Sequence, residues 1–505
     1  MNLTRLILER NSGNTESICL TQGDDSYSYG QLFAMVGKVK GFLSGKTGKG
    51  DRVGLLCENG IGFVSAYLAC LDSGVVVVPT NTSSSREELE YMAGNCAIKL
   101  FICSAKMRKK LELGIPDHDI SGILEGDGPE ARIGKENLTD KGDLAALMHT
   151  SGSTGKPNAV MVTHGNLLAN TSSILGYLDM KPSDRTMVVL PFYYCYGASL
   201  LHMTLCAGGR VVINNKFMFP QRVANEIVEK RCTIFAGVPS TYQIMLKYTR
   251  MAEMDMSCLR YALQAGGKLP ADHLKQLMKA LPGTGIVVMY GQTEATARLS
   301  YLPPDLLESK LGSVGRGIPG VELKVIDGSG RDAKPGERGE IIARGNNISP
   351  GYLNNDEETR MTFRDGWLHT GDIATVDDEG FIYVVDREKD FVKVGGNRVS
   401  LAEIENTALP LKGVSEAIAV GFPDEILGEA VALFVVPANN GLKPQDVMRI
   451  CSKELPAYKV PKTVRIIDRI PRNAYGKVQR FKLLEQVSVN PGGPKNTAEK
   501  VASDG

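Results

Sequence analysis

Strand-like and helix-like runs alternate along much of this chain, and that alternation limits the fold more than any other feature. DRVGLLCENG (51–60), IGFVSAYLACLDSG (61–74) and VVVVPTN (75–81) read as strand, helix and strand. The middle run spaces its apolar residues helically, and the last is a short β-branched run. The rhythm returns at RVVINN (210–215), QRVANEIVEKRC (221–232) and TIFAGVPS (233–240). Such alternation predicts an α/β fold of parallel sheets covered by helices.

Beyond about residue 310 the texture changes. PGVELKVIDGSGRDAKPGERGEIIARG (319–345) breaks short β-rich runs with Gly and Pro, predicting a small β-barrel-like sheet that closes with GFIYVVD (380–386). A further α/β segment follows, with strand-like SEAIAVGF (415–422) and ALFVVPA (432–438) and helix-like QDVMRICSKELP (445–456). The expected division is a large N-terminal domain at 1–388, a small C-terminal domain at 389–488 and a disordered tail at 489–505, where apolar periodicity is lost. A length of 505 residues agrees with more than one core.

Charge and cysteine usage exclude some partners. A net charge of +1 gives no global reason to expect nucleic acid or an anionic membrane. The 10 cysteines are scattered, with no CxxC pair, and read as small buried residues of a reducing compartment. MNLTRLILERNSG is interrupted by Arg5 and Glu9 and does not read as a secretory signal, and no apolar run approaches a membrane span. The expected location is the cytoplasm.

HTSGSTGKPNAVMVTHGN (149–166) gathers hydroxyls, glycines and one lysine before turning apolar. Small residues let backbone N–H groups approach a polyphosphate closely, while Ser, Thr and Lys add donors. A flexible surface turn has the same composition. The common phosphate loop requires Ser or Thr after its lysine to hold magnesium, and here Pro157 follows Lys156. Any metal ligand must therefore lie elsewhere.

YGQTEAT (290–296), WLHTGDIATVDDEGFIYVVDREKDFVKVGGNRVSLAEIE (367–405) and NAYGKVQR (473–480) follow in that order. Together with TSGSTGKP they resemble the acyl-adenylate-forming, AMP-binding enzymes: acyl-CoA synthetases, adenylation domains of peptide synthetases and beetle luciferases. The resemblance spans nearly the whole chain. Four motifs in order are specific where any one is weak.

The resemblance implies ATP, Mg²⁺ and CoA, or phosphopantetheine on a carrier protein, and it implies roles. Thr150, Ser151, Gly152, Ser153, Thr154, Gly155 and Lys156 would wrap the β- and γ-phosphates. Gly266 and Gly267 would border the nucleotide, as would Gly291 and Gln292. Tyr290 would stack on adenine, Thr293 would bond the α-phosphate, and Glu294 would supply the magnesium ligand that the loop lacks. Without the other motifs, YGQTE reads as a helix start capped by Gln292 or Thr293. Asp372 and Arg387 would hold the ribose, and Lys477 would reach the α-phosphate and the acid carboxylate. Lys389 falls at the family's hinge, and Lys393, Gly395 and Gly396 would line a pantetheine tunnel.

For the acid, the resemblance implies a pocket of Tyr194, Tyr196, Gly197, Gly267, Lys268 and Gly291. PFYYCYG (191–197) lacks the Asp by which amino-acid-activating relatives pair with an ammonium, so an α-amino acid is not expected. Two departures stand out: Asn158 and Ala159 replace the usual Lys and Gly, and Lys268 replaces a small residue. Lys268 either pairs with a polar group of the ligands or extends to water.

The leading expectation is an ATP-dependent acid–CoA ligase that releases AMP and pyrophosphate. Transfer to a separate acyl carrier protein in trans, a luciferase-like oxidation and a non-catalytic nucleotide-binding relative are the alternatives. The intact Lys156, Glu294, Asp372, Arg387 and Lys477 weigh against the last.

Overall fold

Parallel strands joined by helices build the larger part of the molecule. The computed structural model describes residues 1–488 apart from 109–110, 112, 135–138, 151–156, 388–390, 395–396, 425–426, 440 and 473–477. The chain divides into two compact units, one covering Met1–Val385 and the other beginning at Asp386.

The first unit holds three sheets among its described residues. One runs Asp117–Asp119, Ile98–Cys103, Arg52–Leu56, Val76–Pro79, Leu144–Thr150, Asn158–Thr163, with only its last pair antiparallel. A second, of nine strands, has a parallel centre in which Gly285–Tyr290, Tyr261–Gln264, Ile234–Gly237, Arg185–Val188, Arg210–Ile213 and Ile18–Gln22 lie side by side. The expected strand, helix, strand sequences at 51–81 and 210–240 are both present. The third sheet joins Val321–Ile326, Gly339–Gly345, Trp367–Val376 and Phe363–Arg364, with Ile382–Arg387 paired to Trp367–Val376. It is the small sheet that the Gly- and Pro-broken stretch predicted.

Helix Ile61–Ser73 departs from the one-faced pattern. Every residue from Phe63 to Asp72 is buried, because the helix lies inside a core shared by residues of the two large sheets, among them Leu20, Val53, Leu55, Ala146 and Val211. A helix apolar all round belongs in such an interior. Its Asp72 carboxylate accepts from Lys40 Nζ (2.8 Å) and the Gly134 backbone N–H (3.0 Å), as a buried charge requires.

The second unit has its own core. Val414–Asp424 and Gly428–Pro437 form a long antiparallel pair, flanked by Thr463–Ile466 and by the hairpin Phe391–Val394 with Asn397–Ser400. Helices Leu401–Ala408 and Pro444–Glu454 turn Leu401, Ile404, Ala408, Val447 and Cys451 into that core.

Candidate active site

The central strands of the nine-stranded sheet end side by side, and the chain leaves them in Gly-containing turns. In open α/β sheets ligands bind at this carboxyl edge. Strand Tyr261–Gln264 leads to Gly266 and Gly267; its neighbour Gly285–Tyr290 leads to Gly291, Gln292 and the single 3₁₀ turn Thr293–Ala295. No side chain caps that turn, so YGQTE is not a capped helix start. Its polar groups are engaged elsewhere.

Tyr290 Oη donates to Asp372 Oδ2 at 2.6 Å. Asp372 is 2% exposed, and Gly371 before it adopts φ +68°, a left-handed turn that suits glycine. This bond brings together an aromatic ring and a carboxylate 82 residues apart. Arg387 ends strand Ile382–Arg387, which pairs with the strand carrying Asp372.

Glu294 is held by a residue that the sequence did not single out. Tyr352 Oη donates to Glu294 Oε1 at 2.8 Å, and the Ser349 backbone N–H donates to the Glu294 carbonyl at 2.8 Å. Burial, then the neighbouring carboxylate, pushes the Tyr352 phenol up in pKa, so it remains a donor. One carboxylate oxygen is thereby fixed while Oε2 keeps its acceptor capacity. An anionic oxygen with a locked partner fits a hard cation such as Mg²⁺, which commonly takes one or two protein carboxylates beside its waters.

Thr293 Oγ1 lies 3.5 Å from Cys195 Sγ at the start of helix Cys195–Cys206. Burial raises the Cys195 pKa, which keeps the sulfur a thiol. Tyr196 Oη donates to the Leu263 carbonyl (2.9 Å), and Gln264 Nε2 to the Gly267 carbonyl (2.8 Å). These bonds fasten the Tyr194–Gly197 and Gly266–Lys268 segments to one strand. Gly197 and Gly291 are sites of close backbone approach: a Cβ at Gly197 would overlap the Pro191 carbonyl, and one at Gly291 would overlap the Ala297 carbonyl and crowd Arg298 Cα. Lys268 is exposed, and its Nζ donates to the Val384 carbonyl at 3.4 Å.

Thr150 ends strand Leu144–Thr150 and pairs with Asn158 across the phosphate-loop motif. Asn158 Oδ1 accepts from Asn355 Nδ2 at 3.1 Å. Ser151, Gly152, Ser153, Thr154, Gly155 and Lys156 lie outside the described residues, as do Lys389, Gly395, Gly396, Lys477 and the 489–505 tail. Lys393 lies in strand Phe391–Val394.

Arg298 and Asn347 are further residues that the sequence reading passed over. Asn347 Nδ2 donates to the Ala295 and Arg298 carbonyls (3.1 and 3.0 Å), and Thr296 Oγ1 donates to the Asn347 carbonyl (2.6 Å). They hold Thr296 and Ala297 at φ +62° and +147°, strained values for residues with a Cβ. The faint signal in sequence is that Arg298 is the only charge in ATARLSYLPP (295–304).

Comparison with known proteins gives a consistent picture. Residues 8–353 match the family model of the AMP-binding enzyme, and 403–477 that of the AMP-binding enzyme C-terminal domain. The chain is 31% identical to a feruloyl-CoA synthase of Amycolatopsis sp over 466 residues, covering 90% of this chain and 93% of that one. It is 33% identical to a 2-succinylbenzoate–CoA ligase of Bacillus licheniformis over 475 residues, covering 93% and 96%. A solved structure of o-succinylbenzoate coenzyme A synthetase from Bacillus subtilis, in complex with ATP and a magnesium ion, is similar with a TM-score of 0.85, 28% identity and coverage of 95% and 99%.

Proposed function

The chain belongs to the AMP-binding enzyme family, and from that premise we propose how its residues divide the work. The reaction is that of an AMP-forming acid–CoA ligase. A carboxylic acid is joined to AMP from ATP with release of pyrophosphate, and the acyl group passes to the CoA thiol as AMP leaves. The adenylate step is needed because a free carboxylate would have to expel oxide.

Residues 150–156 hold the β- and γ-phosphates, Tyr290 stacks on adenine, Asp372 and Arg387 take the ribose hydroxyls, and Thr293 donates to the α-phosphate. Glu294 holds Mg²⁺, with Tyr352 fixing the carboxylate. The ion, when bound, offsets phosphate charge. Lys477 meets the charge that concentrates between α-phosphate and acid carboxylate. The observation that carries this reading is that Tyr290 ends one strand and Thr293 and Glu294 stand on the turn that follows it, with Asp372 hydrogen-bonded to the first and Tyr352 to the last. Lys389 is the hinge between half-reactions, and Lys393, Gly395 and Gly396 border the pantetheine arm.

The acid binds among Tyr194, Tyr196, Gly197, Gly267, Lys268 and Gly291, and it carries no α-ammonium, since residues 191–197 contain no carboxylate to receive one. Cys19, Cys57, Cys70, Cys96, Cys103, Cys195, Cys206, Cys232, Cys258 and Cys451 are all unbridged. This supports the cytoplasm, and no described helix is long and apolar enough to cross a membrane.

Two assays test this reading. With ATP, Mg²⁺ and an acid panel, acyl-CoA and AMP should form in equal amounts when CoA is supplied; product only with a phosphopantetheinylated carrier protein would reassign the acceptor. Lys477→Ala should slow adenylation by at least about a hundredfold yet preserve thioester formation from preformed adenylate, and an equal fall in both half-reactions would refute the division of roles.

A further inference from the structure

Four residues beyond Glu294 the chain buries a cation for which the described residues supply no anion. Arg298 is 1% exposed. Its Nη1 donates to the Tyr177 hydroxyl (2.7 Å) and its Nη2 to the sulfur of Met203 (3.8 Å), while Nε has no partner. The guanidinium carbon lies 5.7 Å from the centroid of the Tyr196 ring. Among the described residues no carboxylate pairs with it.

Arginine does not shed its proton in proteins, so burial cannot neutralise this group. One phenol, one thioether and one ring face satisfy little of a five-donor fork. Buried charges are ordinarily paired, and the same chain meets that rule at Asp72, which has Lys40. The strained Thr296–Ala297 backbone, the Asn347 clamp and the close approach at Gly291 all hold Arg298 against that rule. Strain and an orphaned charge at one place point to a ligand that completes the site.

The position selects which ligand. Arg298 follows the turn carrying Thr293 and Glu294, and it packs on Tyr196, Tyr177 and Met203 of the helices His164–Tyr177 and Cys195–Cys206. Tyr196 belongs to the proposed acyl pocket. We propose that Arg298 is the anion-recognising residue of that pocket, and that the acid activated by this enzyme carries a second anionic group, such as a distal carboxylate. One carboxylate of the acid reacts; the other lies in the fork of Arg298, a bidentate geometry that suits arginine. This inference rests on the acyl-pocket assignment above.

The test uses the full chain and acid-dependent ATP–pyrophosphate exchange without CoA. Matched pairs of alkyl and aryl acids differ only in a distal carboxylate or its methyl ester. The wild type should favour the dianionic member by about a hundredfold in kcat/KM, within the range seen when one partner of a buried hydrogen-bonded charge pair is removed. Arg298→Met should erase that preference mainly through the acid KM, with the ATP KM held within about twofold, and Arg298→Lys should recover part of it.

Equal use of both members, or a preference for the monoanionic esters, with exchange intact would overturn the inference and leave the proposed function standing. A rise in ATP KM common to all acids would assign the cation to a nucleotide phosphate and overturn it too. If both variants lost exchange with every acid and melted early, Arg298 would be structural and the inference wrong. Wild-type silence on the whole panel would remove the pocket assignment itself.

Discussion

The two ends of one short segment treat their polar groups in opposite ways. At Tyr290–Glu294 the engaged groups have partners supplied by the protein: Asp372 for the Tyr290 hydroxyl, Cys195 for Thr293, Tyr352 for Glu294. At Arg298 the described residues supply one phenol and a sulfur and leave Nε unmet. The first arrangement suits the role proposed for it, binding a ligand common to every turnover. The second is complete only with the acid present, so this end of the segment is where specificity resides.

Substitutions can break that contrast, beginning with the largest effect. Glu294→Ala should lower pyrophosphate exchange by about a thousandfold with every acid, because the role proposed for it, holding Mg²⁺, serves the ligand that all acids share. A loss confined to some acids would blur the two ends. Arg298→Met should cost about a hundredfold, and only for dianionic acids. Tyr352→Phe, which removes one hydrogen bond from Glu294, should raise the Mg²⁺ requirement about tenfold, in line with the loss of an outer partner of a metal ligand. An unchanged Mg²⁺ titration would mean that Glu294 is positioned without it.

The smallest effect concerns burial alone. His149 and His164 are pushed down to about 4 and His202 to about 3, in each case chiefly by burial. The unfolded chain takes up these protons near 6.5 while the folded one resists. Stability is therefore fully present above about pH 6.5 and is lost as pH falls toward 4. Melting should drop by several degrees between pH 7 and 5; a flat Tm would show that these histidines are not held neutral. They show how burial discharges a base that can lose its proton, which Arg298 cannot do.

Much of this was legible in the chain itself. Alternating runs at 51–81 and 210–240 announced parallel sheets, because apolar periodicity reports on local structure. TSGSTGKP, YGQTE, HTGD and NAYGKVQR announced the AMP-binding family because each is a contiguous run of residues. Tyr352 was not legible: it reaches Glu294 across 58 residues, and a tyrosine in GYLNN carries no local mark of that contact. Arg298 was not legible either, since a sequence does not show burial. Gly197 and Gly291 were read as pocket walls, whereas the fold also needs them where backbone meets backbone.

One competition experiment addresses the contrast most directly. Wild-type enzyme and Arg298→Met are each given ATP, Mg²⁺, CoA and an equimolar mixture of a diacid and its monomethyl ester, and the ratio of the two acyl-CoA products is read by mass spectrometry. The account predicts a wild-type ratio of about a hundred in favour of the diacid, collapsing to near one in the variant. A ratio near one in both proteins would contradict it.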